Sequence, residues 1–558
     1  MKAISTYFMA SVLGLALLST SSCKKALEEK PFSFYSPENS YRNESDAKAA
    51  INGVYSELYT YDLYLQPFWN ITILDDDHVA GADWFLGTTG AGNPQSYWGI
   101  DGPWVGSYTI IARTNTVLKN IPNITEIDPD IKKRILGEAY FLRGWAYFQL
   151  VQLYGGVPLR LKPVSANNPE TNVPRATVKQ TYDAIIADFK EAETHLFPLG
   201  HPKAGEVGRV NQGVAKAFLA KTYLTMASGA STGNITVRGG TDNGYYTYTK
   251  EVVKGLEGLD ARAYYTLARD KAQELLSSNN NPYVLTASWK DLWSIAGRNN
   301  KEHMWELQSL AGTAFINNLG VYFSARSTFG VGAVWTTNNH YNDYDIQDKR
   351  VLDGITHNYQ TLQGTYIFYP SWQAAQYKIV GGITYSNTGS ATAERAYTIK
   401  YSGVADPTVA NSDAFYPLLR YAEVYLMYAE AENEVNGATT EAYNALNTVR
   451  FRSFPTYIPA PPPASQTPVP VPEAYAPANM NPEQFRSYVL AERAREFNLE
   501  GIRRFDLMRW GIYLQVMNKI STGQNNISKV RQRKNLLLPI PLNELNSNTA
   551  IKGNNPDW

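Results

Sequence analysis

Only one residue in this chain is a cysteine, Cys23. Whatever is built after it must close without a disulfide, by side-chain packing alone, and a chain of 558 residues can bury enough surface to do so. The position of that cysteine is a second constraint. A charged start at Met1-Lys2, an apolar run over about 7–18 and small residues up to Ser22 have the layout of a secretory signal. The run is shorter than the roughly 20 residues that a permanent bilayer span requires. Cys23 therefore stands where an exported protein carries the acyl chains that replace its signal as the anchor. These features predict a signal peptide over 1–22, a polar tether over 23–46 and one domain over 47–558, with an N-terminal part of about 47–240 and a C-terminal part of about 260–558.

Charge narrows the partners. Lys+Arg and Asp+Glu are both 51, so no net charge gathers nucleic acid or an anionic surface. No apolar run after Cys23 reaches membrane-spanning length, which leaves the amino terminus as the part that meets lipid. Tyrosine is abundant at 39 and tryptophan at 12, whereas histidine numbers only six. Rings with a polar edge suit a surface that binds a ligand in water, and so few histidines argue against a metal or general-base centre. No cofactor or metal is expected.

Helical periodicity recurs along most of the chain. Tyr182, Ile185, Ile186, Phe189, Ala192 and Leu196 repeat at three- and four-residue steps. Val214, Ala217, Phe218, Ala220, Tyr223 and Leu224 form the matching stripe of an antiparallel partner, joined to the first through 198–208. Further helices are predicted over 108–118, 131–154, 264–277, 416–435, 440–452 and 482–499. Alternating small and bulky residues give a mainly α architecture, a tetratricopeptide-like scaffold of helix pairs without a regular 34-residue period. Two irregular zones interrupt it. The first, about 75–108, holds Asp75-Asp76-Asp77, Trp84, Phe85, Tyr97, Trp98 and Trp104 among glycines. The second, about 310–400, carries Tyr322, Phe329, Trp335, Tyr341, Tyr344, Tyr366, Tyr369 and Trp372. A Pro-rich stretch over 455–482 cannot be helical and reads as a spacer.

Four separated motifs are specific enough to name a family. The first is Glu138-Ala139-Tyr140-Phe141-Leu142-Arg143-Gly144-Trp145, continuing to Leu153-Tyr154-Gly155-Gly156-Val157-Pro158. The second runs from Leu419-Arg420-Tyr421-Ala422-Glu423 to Glu430-Ala431 and on to Asn447-Thr448-Val449-Arg450. The third is Glu492-Arg493-Ala494-Arg495-Glu496-Phe497 with Glu500-Gly501-Ile502-Arg503-Arg504-Phe505-Asp506-Leu507-Met508-Arg509-Trp510-Gly511. The fourth closes the chain with Leu538-Pro539-Ile540-Pro541 and Asn555-Pro556-Asp557-Trp558. In this order they resemble the SusD/RagB family of outer-membrane nutrient-binding lipoproteins of Bacteroidota, over nearly the whole mature chain. The resemblance implies a helical scaffold with an irregular, loop-rich ligand-binding face. It also implies an acylated Cys23, surface exposure directed by Glu28-Glu29, and a SusC-like TonB-dependent transporter as partner, to which an oligosaccharide or peptide is delivered unchanged.

The mixed charges Arg493, Glu496, Glu500, Arg503, Arg504, Asp506 and Arg509 are interleaved with Phe497, Phe505 and Trp510. They read as a structural network, as do Arg420, Glu423 and Glu430, because each acid has an arginine nearby to keep it ionised. Pairing at helical spacing is expected for Glu500 with Arg504 and for Asp506 with Arg509. The expected ligand site is Trp84, Tyr97 and Trp98, whose rings suit the C–H faces of sugars, with Asp76, Asn93 and Gln95 able to meet hydroxyls. Trp335 and Tyr341 are expected to complete the cleft from the second zone, and Trp104 to lie in the core. Asp75-Asp76-Asp77-His78 fits neither a one-ion site nor an assignable acid pair; a hydroxyl acceptor or loop cap is expected. Gly229-Ala230-Ser231-Thr232-Gly233 has the letters of a hydrolase elbow but follows a helix instead of a strand. No catalytic role is expected. The alternatives are a lipid-anchored glycoside hydrolase using one of the three aspartates, and a transporter lid without its own ligand site.

Overall fold

The computed structural model describes residues 40–164, 171–278, 281–325, 332–345, 348–360, 366–370, 379–380, 383–384, 395–404, 412–454 and 476–558. The signal, Cys23, the tether up to residue 39, Phe329, Trp372, the side chain of Tyr366 and residues 455–475 of the Pro-rich stretch lie outside the described residues. Twelve helices carry the architecture: α1 Glu44–Tyr55, α2 Pro67–Leu74, α3 Gly102–Asn120, α4 Pro129–Tyr154, α5 Val178–His195, α6 Gln212–Ala230, α7 Ala261–Leu276, α8 Tyr421–Asn436, α9 Thr440–Ser453, α10 Pro482–Glu496, α11 Arg503–Arg509 and α12 Tyr513–Ile520. The chain is mainly α. From α3 to α9 each helix packs on the next, and α10 returns against α8. The helix α1 begins at Glu44, three residues before the predicted domain start at 47, because Asn43 caps it by accepting from Asp46 N.

Local chemistry explains where the helices start and how closely they meet. Thr177 and Gln180 exchange side-chain bonds with each other's backbone N–H at the head of α5, and Asn481 with Gln484 repeats that capping box at α10. A Cβ at Gly137 would come within 2.9 Å of His195 and Leu196, and one at Gly144 within 3.0 Å of Phe189. Seven residues apart on one face of α4, these glycines let α5 approach. Phe141, Trp145, Phe218 and Trp305 then pack edge to face, with Phe141 and Trp305 centred 5.1 Å apart. The apolar cluster they belong to draws on residues from Ala47 to Ile551, and Trp104 lies in it as expected.

Two boundaries differ from the periodicity. The helix predicted over 416–435 begins only at Tyr421; Tyr416–Arg420 is a strand pairing antiparallel with His303–Leu307. Pairing with His303–Leu307 decides this, and an irregular register absorbs Pro417, which has no N–H to give the ladder. The helix predicted to reach residue 499 ends at Glu496, and Leu499 takes φ 61°.

The charged motifs are buried together. Arg420 binds Glu302 at 2.7 Å, Glu496 at 2.8 Å and Glu500 at 2.8 Å, while Arg350 holds Asp348 at 2.6 Å and Glu492 at 2.6 Å. Arg493 bridges Glu423 and Asp506, and Arg509 takes Asp506 and Glu430. Burial alone would raise Glu496, yet Arg452, Arg420 and Arg350 hold it down to about 2. The expected Asp506–Arg509 pair is present at 2.9 Å. The expected Glu500–Arg504 pair is absent: Glu500 precedes α11 and turns to Arg420 and Lys400, leaving Arg504 to Asp75.

Candidate ligand-binding face

The loop that follows α2 is where the two ends of the chain meet. Asp75 accepts from Arg504 at 3.0 Å and from Arg531 at 2.9 Å, and Asp77 from Arg503 at 2.7 Å. These carboxylates are therefore ion-paired, with Arg503 and Arg504 of the third motif and with Arg531 beyond it. Asp76, expected as a ligand acceptor, is likewise buried. Its Oδ1 accepts from His78 N at 2.5 Å, and burial together with the charge of Asp77 pushes it up to about 8. All three residues of the triplet are buried. Sequence spacing could not show this, because the arginines that claim these acids lie more than 400 residues away.

Above this layer the loop is held from beneath. Arg531 donates to Gly90 O at 2.7 Å and Asn535 to Gly92 O at 2.9 Å. Gly92 has φ 79°, and a Cβ there would meet the Arg531 guanidinium at 2.9 Å. The loop is thereby fixed to the C-terminal part. On it, Trp84 lies on a short helix, Asp83–Leu86, and is 65% exposed. Its neighbour Phe85 turns inward, stacking on Tyr322 with centroids 4.4 Å apart. Further along, Tyr97, expected as a ligand residue, is instead buried and supports Trp98 from below at 5.3 Å. Trp98 is 66% exposed and meets the edge of Tyr61, itself 60% exposed, at 6.1 Å.

Large rings left this open are unusual, since tryptophan is highly buried on average. Here the exposed rings form an aromatic path in two runs, Trp84 through Phe85 to Tyr322 and Tyr61 through Trp98 to Tyr97. Polar groups border it. Asn93 and Gln95 are exposed, as expected, and Asn318 donates to Gln66 at 2.8 Å while its own buried Oδ1 has no donor among the described residues. Tyr61 and Asn318 were not singled out by sequence, and Tyr322 was named only among the aromatics of the second zone, without a way to tell its outward rings from its inward ones.

Trp335 and Tyr341 require correction as ligand residues. Trp335 is fully buried in a strand, Val334–Thr336, that pairs antiparallel with Val79–Gly81. Its ring packs on Tyr397 at 5.9 Å under the Arg395 guanidinium at 4.2 Å. Tyr341 is buried edge-on against Tyr369 at 4.9 Å. Together with Tyr359 they make a separate small core. A zone with few helices must still exclude water from somewhere, and here the large rings do so.

A model described as "SusD family" matches residues 330–558, and one described as "Starch-binding associating with outer membrane" matches 36–224. The chain belongs to the SusD/RagB family. Among its relatives, SusD-like protein P25 of Formosa agariphila is 24% identical over 96% of both chains. The fold is shared with a SusD homolog of Bacteroides thetaiotaomicron at a TM-score of 0.73 and 22% identity, over 94% of this chain and 98% of that one. It is also shared with surface glycan-binding protein A of Bacteroides fluxus, at a TM-score of 0.64 and 18% identity over 93% and 100%. The second and third SusD/RagB motifs thus coincide with the buried charge network. Among the described residues no helix is long and apolar enough to cross a membrane.

Proposed function

We propose that this SusD/RagB protein binds an oligosaccharide across Trp84, Trp98 and Tyr61 without altering it, and passes it to a SusC-like TonB-dependent transporter. It does so from the outer membrane, held by lipid on Cys23. The observation that carries the reading is the aromatic path itself: rings that large stay in water on a loop that Arg531 and Asn535 brace from below. Sugar C–H faces pack on such rings, and the exposed Asn93 and Gln95 supply amides for hydroxyls. Bracing keeps the platform formed before the ligand arrives, which lowers the ordering cost of binding. The likeness to a surface glycan-binding protein and to a family described as starch-binding supports a glycan over a peptide. The layout Met1-Lys2 to Ser22 ahead of Cys23 supports the anchor.

Calorimetry against a panel of glycans and peptides, with incubated ligand recovered and analysed, tests the reading. Binding of a glycan recovered intact is the expected result. Cleavage of the glycan, or binding of peptides alone, overturns it. Co-purification of an outer-membrane barrel protein with the native chain, lost on Cys23→Ala, tests partnership and anchor together.

A further inference from the structure

A cavity of about 530 Å³ opens far along the chain from the aromatic path, where the ends of α4 and α11 and the heads of α5 and α12 come together with the last residues of the protein. Its size is that of a small-molecule site. Its walls are apolar in large part, through Val178, Val253, Leu256, Met508, Leu514 and Leu537. Around that apolar space the charge is uneven. Lys254 and Arg533 are exposed and have no ion-pair or hydrogen-bond partner among the described residues. Arg175 is satisfied only by neutral acceptors, Gly156 O at 2.7 Å, Tyr154 O at 2.9 Å and Asn555 Oδ1 at 2.7 Å, so its charge is not cancelled by a carboxylate. Lys534 sits over the Trp558 ring at 5.0 Å. The acids on the lining are Glu251 and Asp557, two against these four cations; Arg509 also lines it but is neutralised by Glu430 and Asp506. In addition α12 starts at the wall without a side-chain cap, which leaves its first N–H groups and the positive end of its dipole without a side-chain acceptor.

We infer that this cavity is a second ligand site, for a small amphipathic carboxylate whose apolar body fills the space between Val178 and Leu514 and whose anionic head meets Arg533 and Lys254. An uncharged sugar would leave the apolar wall poorly used and the cations unanswered, and a cationic ligand would meet like charge. The same chemistry is offered by a free fatty-acid-like molecule and by the carboxyl end of a short apolar peptide.

Calorimetry on the purified protein with decanoate, with decanol and with acetyl-Leu-Phe as acid and as amide tests the inference and separates these sources. At least one acid should bind, with at least tenfold preference over its uncharged counterpart; the tighter acid identifies the source. Arg533→Ala with Lys254→Ala, both at exposed positions, should remove most of that preference, and Leu514→Trp, which narrows the cavity, should weaken binding of acid and neutral probe alike. Trp98→Ala should leave both unchanged, so that failure of the glycan reading and failure of this one are distinguishable. No binding of either acid, equal affinity for acid and neutral probe, or acid binding that neither the double variant nor Leu514→Trp weakens overturns it.

Discussion

Replacing Arg420 by alanine tests whether the buried charge network holds the C-terminal part of the chain together. The guanidinium is 1% exposed. It donates to Glu302 at 2.7 Å, to Glu496 at 2.8 Å, to both oxygens of Glu500 at 2.8 and 2.9 Å, and to Glu496 O at 3.0 Å. Removing one partner of a buried pair costs about 3–5 kcal/mol, because a charge is left behind without compensation. Here each abandoned carboxylate keeps another cation: Glu302 keeps Arg452, Glu496 keeps Arg452 and Arg350, and Glu500 keeps Lys400. The loss should therefore fall at the lower end, about 3 kcal/mol, which is still a large fraction of the about 5–15 kcal/mol typical of a folded protein. Urea unfolding at pH 7, followed by tryptophan fluorescence, reads the shift, with Lys179→Ala at the exposed Lys179–Asp183 pair as the control expected to change nothing measurable. The pH dependence supplies a second reading. Glu496 is depressed to about 2 in the folded state, so its contribution is complete above its unfolded value near 4.5 and is lost as pH falls toward 2. The gap between wild type and Arg420→Ala should accordingly narrow from pH 5 to pH 2.5. A midpoint as little changed as that of the control, or a gap that widens in acid, would refute the reasoning.

Trp98→Ala and Trp84→Ala should each weaken glycan binding about fivefold or more, the equivalent of about 1 kcal/mol, while leaving the melting temperature nearly unchanged because both rings are mostly in water; an affinity within about threefold of wild type for both variants counts against the platform. Trp335→Ala should do the reverse, costing about 3–5 kcal/mol of stability as a cavity opens in the smaller core, and an undiminished urea midpoint would place that ring outside the core. Asp76 is raised to about 8 when folded, so its share of stability is present near pH 4 and drains away as pH climbs toward 8. Asp76→Asn should therefore gain on wild type in thermal midpoint between pH 5 and pH 8, and losing ground over that range would contradict the buried, proton-bearing carboxyl.

Much of the scaffold is written in local pattern. The apolar steps of Tyr182, Ile185 and Phe189, the capping pair Thr177 and Gln180, and the small residues Gly137 and Gly144 act within a few residues of themselves, and α4 to α9 follow from such signals. Where a local rule was overridden, a distant partner did it. Pairing with the strand His303–Leu307 turned the head of a predicted helix into a strand. Asp75, Asp76 and Asp77 looked free because Arg503, Arg504, Lys529 and Arg531 stand at the other end of the chain.

The sequence by itself determined the mainly α scaffold, the family to which the chain belongs and the structural character of the arginine–carboxylate motifs. Those depend on periodicity and on motifs whose order survives without coordinates. Only the tertiary structure decided which aromatic rings are available to a ligand. Trp98 and Trp335 are the same residue type in equally irregular surroundings, yet one stands 66% exposed on a braced loop and the other is sealed under Arg395 and Tyr397. Burial depends on what the rest of the chain brings over a ring, and in a zone without helical or strand periodicity no local pattern records that.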